Sequence, residues 1–395
     1  MKLVLTTAVA VLFLLAPVAT ADLVEVTATT SKTEYIIGFF ETPAYTVGDL
    51  YYGDRVVAVD TDLNFIVVET LAPALLEARA ELDGAVRYIE WNNPNYAVIN
   101  YVPNDPRYTD SSHYGPKIIG AETAWDKTLG TTAIKVGVLD TGINRNHEDF
   151  VGGRVLQGYD FYNGDNDPND QGGWCSYHGS HTAGTIGATT GNAKGMAGMA
   201  QVQILPVKAF GGGLCGGSTT ALVNGLKYIA DQGSHVSSNS WGSSSASTAL
   251  NDALTYAHNK GTIHVAAAGN SGSCTNCVSY PWKSKPAITI VVSATDSKDA
   301  FASFSSEGPE VDVAAPGVST LSVDGGTTTG YKTMSGTSMA CPHVAGVAAL
   351  IKTLNPSMSF SSLEGRLQST AKDLGASGKD DKFGYGRVNA AAAVY

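Results

Sequence analysis

Four residues of ordinary type, Asp140, His178, Asn270 and Ser338, together hold the groups that acyl transfer needs: a nucleophile, a base, an acid to orient the base and a hydrogen-bond donor for an oxyanion. Ser338 lies in GTSMACPHVAGVAALI, between a glycine-rich turn and an apolar run that reads as a helix. One reading makes it an N-cap that accepts from the exposed N–H groups of the first turn, with Pro342 tolerated there. The other makes it a nucleophile whose developing oxyanion faces the same N–H groups. Asp140 closes VGVL just before Thr141 and Gly142, so its carboxylate emerges at a strand end. There it can cap a turn, or hold an imidazole in one tautomer and stabilise its cationic form. YHGSHTAGTIG supplies two imidazoles at the start of a helix-forming run, but the spacing of His178 and His181 lacks the glutamate and i, i+4 geometry of the common zinc helix. With Asp140 and Ser338 available, His178 is assigned as general base. Asn270 ends GTIHVAAAGN, either as a turn residue or as a side-chain amide donor. The order Asp, His, Ser is one of three chain orders known for such a triad.

The elements that must position these residues are short apolar runs ending in turn residues: AIKVGVLDTG, VQILPVKAFGG, GTIHVAAAGN and ITIVVSATD. They alternate with helical patterns such as TTALVNGLKYIADQG and TALNDALTYAHNKG, which predicts an α/β fold, a doubly wound, mostly parallel sheet with helices on both faces. In such sheets ligands gather beyond the carboxyl ends of the strands, where Asp140, Ser240 and Asn270 all stand. Residues 22–100 differ in character. EYIIGFF, DRVVAVD and NFIVVET read as strands and APALLEARAEL as a helix, a small α+β domain ahead of the larger one at 101–395. Residues 1–21 carry a lysine, an apolar core and Ala19-Thr20-Ala21, the pattern of a cleaved signal peptide. Pro17 interrupts the run before it reaches the roughly 20 residues that span a bilayer.

The formal net charge of -11, with no run of basic residues, argues against nucleic acid or an anionic membrane as partner. Export places five cysteines in an oxidising compartment, where an odd count leaves one thiol over. Cys274 and Cys277 can close a small loop, Cys175 and Cys215 lie in two glycine-rich loops that could meet, and Cys341 is left. In GYDFYNGDNDPND, Asp160, Asn163, Asp165 and Asp167 offer hard oxygen ligands of the kind calcium takes, or else form a solvated surface loop.

DTG at Asp140, HGSH at His178, SWG at Ser240, AAAGN at Asn270 and GTSMACPHVAG at Ser338 resemble the subtilisin-like serine proteases over residues 101–395, most of all the thermitase branch and less closely the proteinase K and aqualysin branches. The resemblance implies a serine endopeptidase. Residues 22–100 resemble an inhibitor-type propeptide, with cleavage near Asn100 and the propeptide acting as an intramolecular inhibitor of a monomeric enzyme. An extended polypeptide substrate would add as a strand beside Ser240, Trp241 and Gly242 on one side and Gly216, Gly217 and Ser218 on the other. Ala267, Ala268 and Gly269 would wall a first pocket suited to apolar or aromatic side chains. The resemblance further implies a structural calcium held by the carboxylates of Asp105 and Asp149, the amide of Asn192 and the carbonyls of Thr189, Lys194 and Met196; no organic cofactor is implied. Three positions depart from the family pattern: HGSH replaces HGTH, Cys341 replaces a threonine, and Trp241 replaces a pocket-lining leucine. An esterase of the α/β-hydrolase type would instead show GxSxG with its serine earliest in the chain. A noncatalytic relative would lack one of the four residues.

Overall fold

The computed structural model describes residues 32–92, 101–272 and 274–395. The proposed signal peptide and the proposed cleavage point near Asn100 lie outside them. The chain divides into two compact units between Val98 and Ile99. In the first, strands β1 (Thr33–Phe39), β2 (Leu50–Tyr51), β3 (Asp54–Asp60), β4 (Phe65–Thr70) and β5 (Val86–Trp91) form a sheet in the order β2-β3-β4-β1-β5, antiparallel throughout. Helix α1 (Pro73–Leu82) begins at a proline, which loses no hydrogen bond in a first turn, and buries Leu76 and Ala80. Its core joins them to Ile37, Tyr51, Val56, Ile66 and Val68.

The second unit is built on β6 (Lys135–Asp140), β7 (Tyr159–Asp160), β8 (Gln203–Lys208), β9 (Val236–Asn239), β10 (Ile263–Ala267), β11 (Thr289–Thr295) and β12 (Val313–Pro316). Every pairing in this sheet is parallel, and the order is β12-β11-β10-β9-β6-β8-β7. On one side of β6 the chain places β7 at the edge and then β8 between it and β6, and from β9 it builds outward on the other side, so the order reverses between β6 and β9. That reversal opens a crevice at the carboxyl ends of the strands.

Strand periodicity then decides which residues meet which helices. Val136 and Val138 of β6, Val265 of β10 and Val292 of β11 pack into one core with α4 (His178–Gly187) and α7 (Thr337–Leu354), after the short α2 (Gly115–Ile118) and α3 (Ala121–Lys127). Leu139, Ala266 and Val291, one residue out of phase, pack into a second core with α5 (Thr219–Asp231) and α6 (Thr248–Asn259). Both faces are covered, which is why the strands read as near-continuous apolar runs. Strands β13 (Thr320–Val323) and β14 (Tyr331–Met334) form an antiparallel ribbon, and α8 (Phe360–Thr370) and α9 (Ala390–Val394) close the chain. Asp140 shares the parity of Val136 and Val138, so it ends its strand on the face that carries α4 and α7.

Two disulfides, Cys175–Cys215 and Cys274–Cys277, join the cysteines as expected, and Cys341 is free and buried.

Candidate active site

Asp140 is 3% exposed at the end of β6, and its Oδ1 lies 2.8 Å from His178 Nδ1. An ionised carboxylate only accepts, so Nδ1 carries the proton and Nε2 is left as the basic nitrogen. Thr141 N and Thr182 Oγ1 donate to the same carboxylate, at 2.7 and 3.3 Å. The close approach of α4 to β6 depends on Gly179: a Cβ there would lie 2.1 Å from the Gly142 carbonyl oxygen. The partner His181 is fully buried, its Nε2 faces the Lys332 carbonyl at 3.2 Å, and burial drives its pKa down to about 3, so it stays neutral as part of the core.

Helix α7 starts at Thr337 with Gly336 as N-cap and no side-chain cap, so Ser338 is not the capping residue. Pro342, six residues into the helix, has no N–H to give to the Ser338 carbonyl four residues earlier. Ser240 Oγ donates to that freed carbonyl at 2.8 Å, and Ser338 Oγ donates back to the Ser240 carbonyl at 3.2 Å. This reciprocal pair fixes the start of α7 against the end of β9. The Ser338 hydroxyl thus rests on Ser240, and among the described residues it makes no hydrogen bond to His178.

Asn270 lies three residues beyond β10. Gly269, at φ 114°, takes the left-handed turn that Asn270 would otherwise have been needed for. Asn270 Oδ1 accepts from Thr337 N at 2.9 Å and Thr337 Oγ1 at 3.0 Å, and its NH₂ has no partner among the described residues. A cavity of about 230 Å³ opens beside it, lined by Ser240, Trp241, Gly242, Ala267, Gly269, Asn270 and Ser338, with Ser279 and Thr337. Trp241 lines this space without filling it: its ring lies 4.7 Å from Trp282 and 6.2 Å from Phe210, and Trp282 Nε1 donates to its carbonyl at 2.9 Å. Ala268 is absent from the wall. It is one residue out of phase with Ala267 and packs in the α5/α6 core on the other face of the sheet. On the opposite rim Gly216 pairs with Gly211, Gly217 is exposed with its N–H and C=O unbonded among the described residues, and Ser218 Oγ caps α5 by accepting from Ala221 N at 3.1 Å. Cys175–Cys215 ties this rim to the turn that leads into His178.

The residues expected to hold calcium are also gathered. Asp105 is 3% exposed and Asp149 fully buried; no cationic side chain is paired with either among the described residues, and the charge of each disfavours the other. Burial pushes the Asp149 carboxyl up to about 7 against the lowering effect of Met196 N and Asn192 Nδ2, which donate to it, each at 2.9 Å. Gly191 N donates to Asp105 at 2.7 Å. The carbonyls of Thr189, Lys194 and Met196 receive no hydrogen bond among the described residues. Two buried carboxylates and three unbonded carbonyls suit a hard divalent cation.

The acidic loop offers a second set of carboxylates, and one of them is already engaged within the protein. Asp160 is fully buried and already saturated, with Lys208 Nζ at 3.0 Å and donors Tyr162 N, Asn163 N and Asn163 Nδ2 at 2.7 to 2.9 Å. It caps its own turn and pairs with a buried lysine. Asn163, Asp165 and Asp167 are exposed around a surface depression that Lys208 also lines.

The profile of the subtilase family matches residues 131–386. Thermitase of Thermoactinomyces vulgaris is 42% identical over 295 residues, which is 74% of this chain and 99% of thermitase. The halolysin-like extracellular serine protease Nep of Natrialba magadii is 35% identical over 92% of this chain and 67% of its own length. A solved structure of a protease from Pseudoalteromonas arctica superposes with a TM-score of 0.64 at 33% identity, covering 74% of this chain and 99% of that one. The chain belongs to the subtilase family. It is a serine endopeptidase of that family.

In this subtilase the residues that sequence reading passed over stand behind the ones it chose. Thr337 orients Asn270. Thr141 Oγ1 accepts from Gly179 N at 2.8 Å and donates to Asp170 Oδ1 at 2.6 Å, and Asp170 Oδ2 accepts from Ser180 N at 2.7 Å. This network fastens the start of α4 to the end of β6. Burial pushes Asp170 up to about 6, opposed by its hydrogen bonds to Ser180 and Thr141. For His178, burial is the largest single influence and lowers its pKa, but the charge and hydrogen bond of Asp140, with the charge of Asp170, outweigh burial and the repulsion of Lys332 and raise it. Seven residues separate Asp170 from His178 in the sequence, so no local spacing announces the influence of its charge on the ring.

Proposed function

We propose that this subtilase hydrolyses peptide bonds through Asp140, His178 and Ser338, with Asn270 as oxyanion donor, after residues 22–100 have been removed from an exported precursor. The observation that carries the reading is the 2.8 Å contact of His178 Nδ1 with Asp140. A cavity lined by both Asn270 and Ser338 supports it. As substrate enters, Ser338 changes χ1 and its hydroxyl leaves the Ser240 carbonyl for His178 Nε2. His178 takes the proton as Oγ attacks the carbonyl carbon, while Asp140 stabilises the imidazolium without itself accepting the proton. The oxyanion meets the Asn270 NH₂ and the Ser338 N–H at the start of α7. The imidazolium then protonates the leaving amine, and water repeats the sequence on the acyl-enzyme.

The unbonded backbone of Gly217 and the rim at Ser240–Gly242 support binding of an extended polypeptide by strand addition, and the cavity bounded by Ala267 and Gly269 supports an apolar or aromatic first side chain. Asp105, Asp149 and Asn192, with the carbonyls of Thr189, Lys194 and Met196, would hold calcium. The ion would neutralise the two buried carboxylates. Likeness to a protease named as extracellular supports export, and no helix among the described residues is long and apolar enough to cross a membrane.

Labelling with a serine-directed fluorophosphonate followed by peptide mapping tests the assignment. The adduct is expected on Ser338, with Ser338→Ala unlabelled and slower by about a million-fold in peptide hydrolysis. An adduct elsewhere on active enzyme would overturn the nucleophile.

A further inference from the structure

A cavity of about 650 Å³ lies at the opposite end of the sheet, among the residues that lead into β9 and β10 and the turn between α7 and α8. No aspartate or glutamate lines it, which is unusual in a chain of net charge -11. Lys352, one of its lining residues, is only 4% exposed. Its Nζ donates to the Met358 carbonyl at 2.9 Å, and among the described residues no carboxylate pairs with it. An ammonium carries three donors, so two remain to be satisfied. Burial lowers the Lys352 pKa, the mark of a charge removed from water without a counter-charge.

Other polar residues line the same space. Ser234 is 3% exposed, and its Oγ is buried with no partner among the described residues. His235 Nδ1 accepts from Lys135 N at 3.2 Å, which leaves the ring proton on Nε2. His258 packs edge-on against Phe360, with Nδ1 buried and unpartnered among the described residues. Ser359 caps the eleven-residue α8, whose first residues, Phe360 and Ser361, also line the cavity. Lys260 is the exception: its ammonium is engaged by Asp231 at 2.5 Å. An unpaired buried lysine, an orphaned hydroxyl and a helix N-terminus form one donor-rich site.

We propose that this cavity binds a small oxyanion bearing two negative charges, with Lys352 and Ser234 as its deepest donors and the first turn of α8 completing the shell. The anion supplies the counter-charge that the fold omits, and it does so at the far end of the sheet from the catalytic crevice.

Sulfate is the probe, since phosphate would precipitate calcium and citrate would chelate it. Equilibrium dialysis of radiolabelled sulfate against the full enzyme, inactivated with a fluorophosphonate and held at constant ionic strength with chloride, is expected to show one saturable site per chain. Lys352→Gln is expected to weaken it about tenfold and Ser234→Ala about threefold, as befits a charge-assisted and a neutral hydrogen bond. Peptide hydrolysis by the untreated variants is expected to match wild type. Absence of a saturable site in the wild type, or an unchanged affinity in folded Lys352→Gln, overturns the proposal. Should Lys352→Gln fail to fold, Ser234→Ala decides alone, and an unchanged affinity there overturns it equally.

Discussion

Asn270 has one oxygen and two N–H donors, and Thr337 engages the oxygen twice. The amide is therefore preorganised, with its donors toward the cavity before any substrate arrives. Removing it in Asn270→Ala is expected to lower kcat roughly 100- to 1,000-fold with KM little changed. Thr337→Val keeps the N–H contact but loses the hydroxyl, and about a tenfold loss in kcat is expected from the looser amide. Steady-state kinetics on a peptide anilide check both; a rise in KM alone would assign Asn270 to ground-state binding. His178 supplies a second test. Its raised pKa keeps it protonated to higher pH than a free imidazole, and the protonated ring cannot act as base, so kcat/KM falls as pH drops through that raised value. In Asp170→Asn a negative charge that favours the imidazolium is gone, so the acid limb of the kcat/KM profile is expected to move to lower pH. A limb that stays in place would show that the Asp170 charge does not reach the ring.

Among the elements, the arrangement of β6, β9, β10, α4 and α7 carries the site, and most of it could be read from sequence. Apolar runs of strand length ending in DTG, SWG and AAAGN announce strand ends, and alternation with helical patterns announces a parallel sheet. What pattern could not supply was the contact between elements. The helix at Ser338 invited a capping role, yet α7 starts one residue earlier, and the carbonyl freed by Pro342 is matched by Ser240, 98 residues away. Ala268 looked equivalent to Ala267 in a run of alanines, but strand parity sends it to the opposite core. The disulfide between Cys175 and Cys215 has a sequence separation of 40, for which loop-closure entropy gives about 4 kcal/mol. The double serine variant is accordingly expected to melt several degrees lower by calorimetry, with the loss greatest in the His178 loop by hydrogen exchange. An unchanged melting temperature would mean the bridge constrains nothing that the rest of the fold leaves free. Cys341, buried on α7 with its pKa pushed up to about 11 by burial, is expected to resist thiol reagents until the protein unfolds.

At the scale of the whole molecule, a chain of net charge -11 buries both Asp105 and Asp149, with no cationic side chain paired to either among the described residues. A bound divalent ion would stabilise the folded state by mass action, so a chelator is expected to lower the melting temperature by several degrees and added calcium to restore it. An identical melting temperature with and without chelator would remove calcium from Asp105 and Asp149. N-terminal sequencing of active secreted enzyme bears on the precursor: a start close to residue 101 is expected, and an intact Asp22 end would count against removal of residues 22–100.

The sequence by itself determined the residue types, their order and their places at strand and helix ends, because periodicity and turn residues are local properties of the chain. Tertiary structure alone decided how each side chain spends its hydrogen-bonding capacity. Asp160 pairs with Lys208, Thr337 holds the Asn270 oxygen, and Lys352 is buried without a carboxylate partner among the described residues. The physical reason is the same in each case. A polar group is satisfied by whatever long-range packing brings within about 3 Å of it, and no spacing along the chain encodes that distance.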